Sequence, residues 1–292
     1  MSIDVTVVGS PFLDLVFEGL PRLPGPGEEV VGRVLHVVPG GTAVQAIGLA
    51  RLGLSVALVS PRASDAGGRL LGEAFEREGI RWIGPATDRT ATTAVLSAAE
   101  GTAMATATAG GGEPDAEAVA ATRPMSVVLS LGRAGLRPPG VPACLVTGSI
   151  EIEAGVSLAD VPREPGDVLV MNVREAAALT GERDAEAAAA ALGRRAETVI
   201  VTLGSRGAVG IQGGELARAP SLDVTPVDAT GAGDLFVAAI VWARANSLPF
   251  RDALAWACLY AGLSVSAATA VGGARRLEDL LAEGRRRGLT PP

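Results

Sequence analysis

The chain reads as an α/β protein built on a parallel sheet, and three observations predict it. The runs Ile3 to Val8, Val56 to Val59, Val168 to Met171 and Val199 to Val201 read as short apolar strands, the kind that a sheet covered on both faces contains. Helix-length segments with apolar residues at helical spacing alternate with these runs, an order that lays a parallel sheet between helical layers. No internal repeat or linker divides the 292 residues, a length with ample core for one large α/β unit or two smaller ones.

In order, Ile3 to Val8 closes on Gly9-Ser10 and leaves Asp14 beyond the carboxyl end of a strand, where open α/β sheets bind ligands. Leu23 to Glu29 is loop and Val30 to Val38 extended; Pro39-Gly40-Gly41 breaks the strand, and Thr42 to Gly53 reads as a helix ended by glycine. After the strand Val56 to Val59 comes a helix from Gly67 to Glu78, with Leu70, Leu71 and Phe75 on its apolar face. Thr92 to Ala98 and Ala103 to Ala107 flank Glu100-Gly101 as a hairpin, which with residues 14 to 38 forms a small sheet beside the main one. Between residues 113 and 165, Val127-Val128-Leu129 and Ala143 to Val146 are strands among Pro-Gly loops. Val168 to Met171 runs into Asn172 and a helix through Leu179 stopped by Gly181, with Asn172 and Glu175 at capping-box spacing. An alanine-rich helix, Asp184 to Arg195, precedes strand Val199 to Val201, a glycine turn over Thr202 to Ala208, and strand Val209 to Ile211. The chain ends in helices over 232 to 245, from about Arg251, and near Leu277 to Leu281. The uncharged stretch Ala253 to Ala274 has the length of a membrane span, but Gly262, Gly272-Gly273 and its small residues make it a buried helix.

Chemistry concentrates in Asp228-Ala229-Thr230-Gly231-Ala232-Gly233-Asp234, a glycine turn opening the apolar helix that begins with Leu235-Phe236. Free N–H groups converge at such a terminus, the helix dipole adds partial positive charge, and glycine admits a ligand to the main chain, so the turn suits an anion, most simply phosphate. Asp234, in the first turn, is held ionised by the same field and can accept a proton from an alcohol. A plain turn and helix start would account for any single Gly-x-Gly. The aspartates on both sides and the long buried helix favour a site.

Composition removes several alternatives. A formal net charge of -7 argues against nucleic acid or an anionic membrane as the main partner. All 25 cationic residues are Arg, so Walker A loops, protein-kinase sites and Schiff-base or pyridoxal phosphate chemistry lack their lysine. The one histidine, His36, lies in the strand-like run Val34 to Val38 and reads as structural, which leaves a carboxylate as the base. Cys144 and Cys258 have neither metal-ligand spacing nor a disulfide framework and read as buried thiols in the cytoplasm, and Met1 to Val8 reads as a strand, not a signal peptide.

Taken together, these stretches resemble the ribokinase family, the PfkB carbohydrate kinases. Asp228 to Asp234 is similar to its C-terminal signature, Pro39-Gly40-Gly41 through Arg51-Leu52-Gly53 to its N-terminal signature, Asn172-Val173-Arg174-Glu175 to its Asn-x-x-Glu motif and Thr202 to Gly207 to its nucleotide-binding turn. The resemblance implies a three-layer α/β/α sandwich with a mostly parallel central sheet and a small β-sheet lid, formed by about 14 to 38 and 92 to 108, in a single kinase domain over 1 to 292. It implies ATP-dependent phosphorylation of a small sugar, with Asp234 deprotonating the hydroxyl and the N–H groups of Gly231, Ala232 and Gly233 stabilising the transferring phosphoryl group. Asp14, Gly40, Gly41 and Gln45 would hold the sugar, and Asn172, Thr202, Gly204 and Gly207 the nucleotide. Asn172 and Glu175 would organise Mg2+ through water, and Asp228 and Thr230 match positions that bind a monovalent cation, K+ in kind. A homodimer through the lid is implied too.

The chain departs from the family's usual pattern in three places. Gln45 stands where the N-terminal signature usually has a sugar-binding Asn; Ser64-Asp65 replaces an acidic pair; and the segment around Glu151 and Glu153 is short. Cys258, near the expected adenine contact, reads as packing. A ribose-like or hexose substrate is favoured over a nucleoside because the hairpin Thr92 to Thr108 has no aromatic on which a base can stack, although Phe12 and Phe17 lie near Asp14. A nucleoside kinase of the same fold is the nearest alternative. A sugar- or nucleotide-binding protein without catalysis is the next, and a dinucleotide oxidoreductase is disfavoured because no Gly-x-Gly-x-x-Gly follows the first strand.

Overall fold

The computed structural model describes residues 3–98, 100–108, 113–162 and 164–292, without the side chains of residues 149 and 150. The chain runs β1 (Ile3–Val8), β2 (Pro11–Leu20), β3 (Val34–Gly41), α1 (Thr42–Arg51), β4 (Val56–Val59), β5 (Arg62–Ala63), α2 (Ala66–Arg77), β6 (Arg81–Ile83), β7 (Ala86–Thr87), β8 (Thr92–Ala98) and β9 (Gly101–Ala107). Next come α3 (Ala116–Ala121), β10 (Pro124–Ser130), β11 (Ala143–Val146), α4 (Ser149–Glu153), β12 (Val168–Asn172), α5 (Val173–Thr180), α6 (Ala185–Gly193), β13 (Thr198–Thr202), β14 (Ala208–Gln212) and β15 (Glu215–Ala219). The helices α7 (Ala232–Ala245), α8 (Phe250–Ser264), α9 (Ala270–Gly273) and α10 (Leu277–Arg286) close the chain.

Nine strands form the main sheet in the order β15-β14-β13-β12-β11-β10-β1-β4-β6. Neighbours from β6 to β13 are parallel, and β14 and β15 turn back antiparallel. Side chains one residue apart split between two cores, as a period of two requires. Val128, Val170 and Ile200 face a core shared with α1, α7 and α8, whereas Val127, Leu169 and Val199 face one shared with α6. Trp242 of α7 and Trp256 of α8 meet edge to face at 5.7 Å, which joins the two longest helices on their side of the sheet.

A second sheet, ordered β3-β2-β8-β9, contains the predicted hairpin and the stretch around Asp14. Its register places Asp14 beside Thr93, and Thr93 beside Thr106, on one face. The opposite face carries Leu15, Phe17, Leu35, Val37, Ala94 and Leu96.

Several boundaries differ from expectation. The strand read as Val30 to Val38 is Val34–Gly41, and Pro39-Gly40-Gly41 does not break it but pairs with Leu13, Phe12 and Pro11. Proline survives there because β3 is an edge strand and needs no donor on its outer side. Leu70 is 46 % exposed, so α2 packs through Leu71, Ala74 and Phe75 instead. The second hairpin arm starts at Gly101, and β15 is a strand that the apolar pattern does not predict. Ala253 to Ala274 is not one helix: α8 ends at Ser264 and Thr269 caps the separate α9. Among the described residues no helix is long and apolar enough to cross a membrane.

Candidate active site

The amino end of α7 forms as its sequence suggests. Gly231 is the N-cap, with a left-handed φ of 74° that a side chain would resist, and Ala232, Gly233 and Asp234 make the first turn. The N–H of Ala232 donates to Ala229 O at 3.3 Å, while those of Gly231 and Gly233 have no protein acceptor among the described residues. Asp234, in the first turn, is half-buried, and its Oδ1 accepts a 2.8 Å hydrogen bond from Gln45 Nε2. Burial raises its pKa to about 6; the Gln45 bond opposes that rise and the charge on Asp14 adds to it.

That coupling places Asp14 and Asp234 in one electrostatic environment although one comes from the small sheet and the other from α7. Asp14 is 9 % exposed, with Oδ1 buried and unpartnered. Its pKa also rises to about 6, from burial first, against a Thr93 hydrogen bond that lowers it, with the Asp228 charge raising it further. Its carboxylate occupies the space that a Cβ on Gly40 would need. Gly41 closes the same corner, with the Phe12 ring against its Cα. Asp228 holds the loop before α7: its Oδ1 accepts from the Thr230 N–H at 2.9 Å, while its Oδ2 is buried without a partner.

Asn172 and Glu175 form the expected capping box at the start of α5. Asn172 Oδ1 accepts from the N–H groups of Arg174 and Glu175, and Glu175 Oε2 accepts from Asn172 N at 2.9 Å and Thr147 Oγ1 at 3.1 Å. Burial, first among the causes, raises the Glu175 pKa. The cap ties both side chains to the start of α5, and through Thr147 to the end of β11.

One cavity of about 180 Å³ brings together Gln45, Thr147, Asn172, Glu175, Thr202 and Asp234, whereas Asp14, Gly40, Gly41 and Asp228 lie outside its lining. An adjoining cavity of about 440 Å³ shares Asn172, Thr202 and Gly233 with it and extends over Gly204 and Gly207 between walls that include Leu222, Phe236 and Val265. Cys258 also lines this larger space, although its thiol is buried and pushed up to about 12. No cationic side chain among the described residues lines either cavity, which leaves main-chain N–H groups as the protein donors to any phosphate there. An apolar slot, a polar throat and a carboxylate at its end suit a nucleotide whose terminal phosphate meets an alcohol.

The family described as pfkB family carbohydrate kinase matches residues 162–274. Ribokinase of Bacillus subtilis is 30% identical over 296 residues, covering 95% of this chain and 99% of that protein. The chain belongs to the PfkB carbohydrate kinase family. Ribokinase of Thermotoga maritima has the same fold, with a TM-score of 0.81 at 24% identity over 96% of this chain and 98% of that one. The Arabidopsis thaliana ribokinase structure, complexed with ribose and ATP, superposes with a TM-score of 0.76 at 25% identity over 97% and 98% of the two chains.

Membership in the PfkB family frames two site residues that the sequence does not single out. Thr147 lies just past the carboxyl end of β11 and touches Glu175, and Thr93 sits opposite Asp14; the carboxyl edge of the parallel strands is a signal that points to the first. The lone acidic residue of Ser64-Asp65 is a cap: Asp65 accepts from Gly68 N and from Thr90, and it lines neither cavity. Glu151 lies near enough to raise the Glu175 pKa but does not line the cavity around Asp234. His36 bonds Glu18 at 2.8 Å on the small sheet, a structural contact.

Proposed function

We propose that the chain transfers the terminal phosphoryl group of ATP to a hydroxyl of a small sugar of the ribose or hexose kind. The observation that carries this reading is the single cavity joining the Asp234 carboxylate, at the glycine-turn end of α7, to Asn172, Glu175 and Thr202 at the mouth of the apolar slot. Asp234 Oδ2 takes the hydroxyl proton as the new O–P bond forms, and the bond from the terminal phosphorus to its bridging oxygen breaks to leave ADP. The N–H groups of Gly231 and Gly233 stabilise the transferring group; Ala232 joins them if its long 3.3 Å bond yields. Asp14, Gly40, Gly41 and Gln45 hold the sugar, and Thr202, Gly204 and Gly207 lie along the nucleotide.

Asn172 and Glu175, side by side on the wall of the small cavity, suit the phosphates and a hydrated Mg2+ that accompanies them. When bound, that ion would neutralise phosphate charge that no cavity side chain among the described residues offsets. The buried, unpartnered Asp228 Oδ2 suits a monovalent cation, with Thr230 N–H fixing the carboxylate. The small sheet acts as a lid that carries Asp14, its other face meets a second copy, and the protein works in the cytoplasm, in keeping with two buried free thiols.

A panel of ribose, fructose, other hexoses and adenosine with ATP and Mg2+ tests the assignment. Turnover of a sugar that Asp234→Asn reduces by a factor of about 10² or more, while sugar binding by calorimetry survives, supports it. Unchanged turnover in that variant rejects the mechanism, and preference for adenosine would reassign the substrate class.

A further inference from the structure

Gln45 is buried, 5 % exposed, yet its amide spends its donor on Asp234. The contact spans 189 residues of sequence and depends on how closely α1 and α7 cross. At the crossing, a Cβ on Gly48 would collide with Leu235 and Ala238, so glycine there allows the approach that brings Gln45, one turn earlier, to the carboxylate. The bond occupies Asp234 Oδ1 and leaves Oδ2 with no partner among the described residues. Gln45 Oε1 is likewise free among the described residues, and both side chains line the same small cavity.

We propose that Gln45 is a positioning residue for the catalytic base, fixing the Asp234 carboxylate through Oδ1 so that Oδ2 alone faces the acceptor hydroxyl, while Gln45 Oε1 accepts from a neighbouring substrate hydroxyl. The length of the side chain decides this. Shortening it by one methylene withdraws the amide by about 1.5 Å, which opens a 2.8 Å contact beyond hydrogen-bond range. A carboxylate has no proton to give, so the amide nitrogen must be the end that faces it. The charged groups around Asp234 are Asp14 from β2, coupled in turn to Asp228, and Glu175 from α5 across the cavity; all are acidic, so among the described residues Gln45 is the side chain that favours the ionised base.

This inference rests on the kinase reading, and its test separates the two. Gln45→Asn and Gln45→Met, the second close to isosteric and without a donor, are compared with wild type in two measurements. One is kcat/KM against pH; the other is titration of the Asp234 carboxyl carbon by 13C NMR, assigned with Asp234→Asn. Expected are an acidic limb near pH 6 in wild type, displaced upward by half a unit or more in both variants, the same displacement in the NMR titration, and a fall in kcat of about tenfold. Two variants guard against one failing to fold, which circular dichroism reports. An unmoved titration in a folded variant overturns the positioning role, as does a raised sugar KM with kcat and limb unchanged, which would make Gln45 a substrate contact only. Absence of turnover in the wild type with every acceptor instead overturns the kinase reading, while the titration still reports on the Gln45 bond.

Discussion

The Asp14 carboxylate fills the space beside the Gly40 Cα that any other residue would use for its Cβ. Gly40 pairs with Phe12, so Asp14 reaches it diagonally across the β2–β3 pair, and the glycine sets how far the Asp14 carboxylate can tuck back. Gly40→Ala should push the carboxylate out of place, raising the sugar KM tenfold or more while leaving the ATP KM within about twofold, because the nucleotide slot is walled by other elements. Steady-state kinetics with each substrate varied decides it; equal losses for both would mean a general folding defect.

Asp14 also makes stability depend on pH in an unusual direction. Its folded pKa of about 6 lies above the ordinary 3.8, so the folded protein holds that proton more tightly than the unfolded chain. Stability from this group is therefore fully present below pH 3.8, falls as pH rises toward 6, and stays reduced above it. Asp14→Asn should raise Tm at pH 8, by on the order of 1 kcal/mol in stability, with the gain vanishing near pH 4, at the expense of sugar affinity. Thermal melts across pH measure it, and a variant less stable than wild type at pH 8 would show that the carboxylate is held by contacts outweighing its burial.

Glu175 has two jobs that a single substitution separates. As the third residue of a capping box it accepts the Asn172 N–H, a task that glutamine also performs. As a negative charge on the cavity wall it would serve a hydrated cation, which glutamine does poorly. Glu175→Gln should leave Tm within about 2 °C yet raise the Mg2+ concentration needed for half-maximal rate severalfold. A magnesium titration of activity beside a melting curve checks both, and an unchanged magnesium requirement would confine Glu175 to its cap.

Features set by local chemistry were legible in the sequence. The Gly231 to Asp234 turn, the Asn172 cap and the left-handed Gly181 stop depend on neighbours within one helical turn, and each stands where expected. The Gln45–Asp234 bond was not legible because it depends on how α1 and α7 cross. Periodicity likewise put Leu70 on a helical apolar stripe, but which edge of that stripe meets a neighbour is a tertiary outcome, and α2 leaves it in solvent. Pro39-Gly40-Gly41 looked like a stop because a proline usually interrupts a ladder; only the knowledge that β3 is an edge would have reversed the reading.

The small sheet turns Asp14, Thr93 and Thr106 toward one side, and on the other Leu35 and Val37 are 49 % and 46 % exposed beside Leu15, Phe17, Ala94 and Leu96. A continuous apolar sheet face pointing away from the polar one is a surface that a second copy can cover. Leu35→Glu and Val37→Glu, combined to bring four like charges together in a twofold contact, should convert a dimer into monomers by light scattering without changing the circular dichroism spectrum. The sugar KM should rise as well, since β3 ends in Gly40 and Gly41 and a lid freed of its partner holds Asp14 less firmly. A dimer that persists in the double variant would place the interface on another surface, and a monomer with an unaltered KM would show that the lid orders itself without a partner.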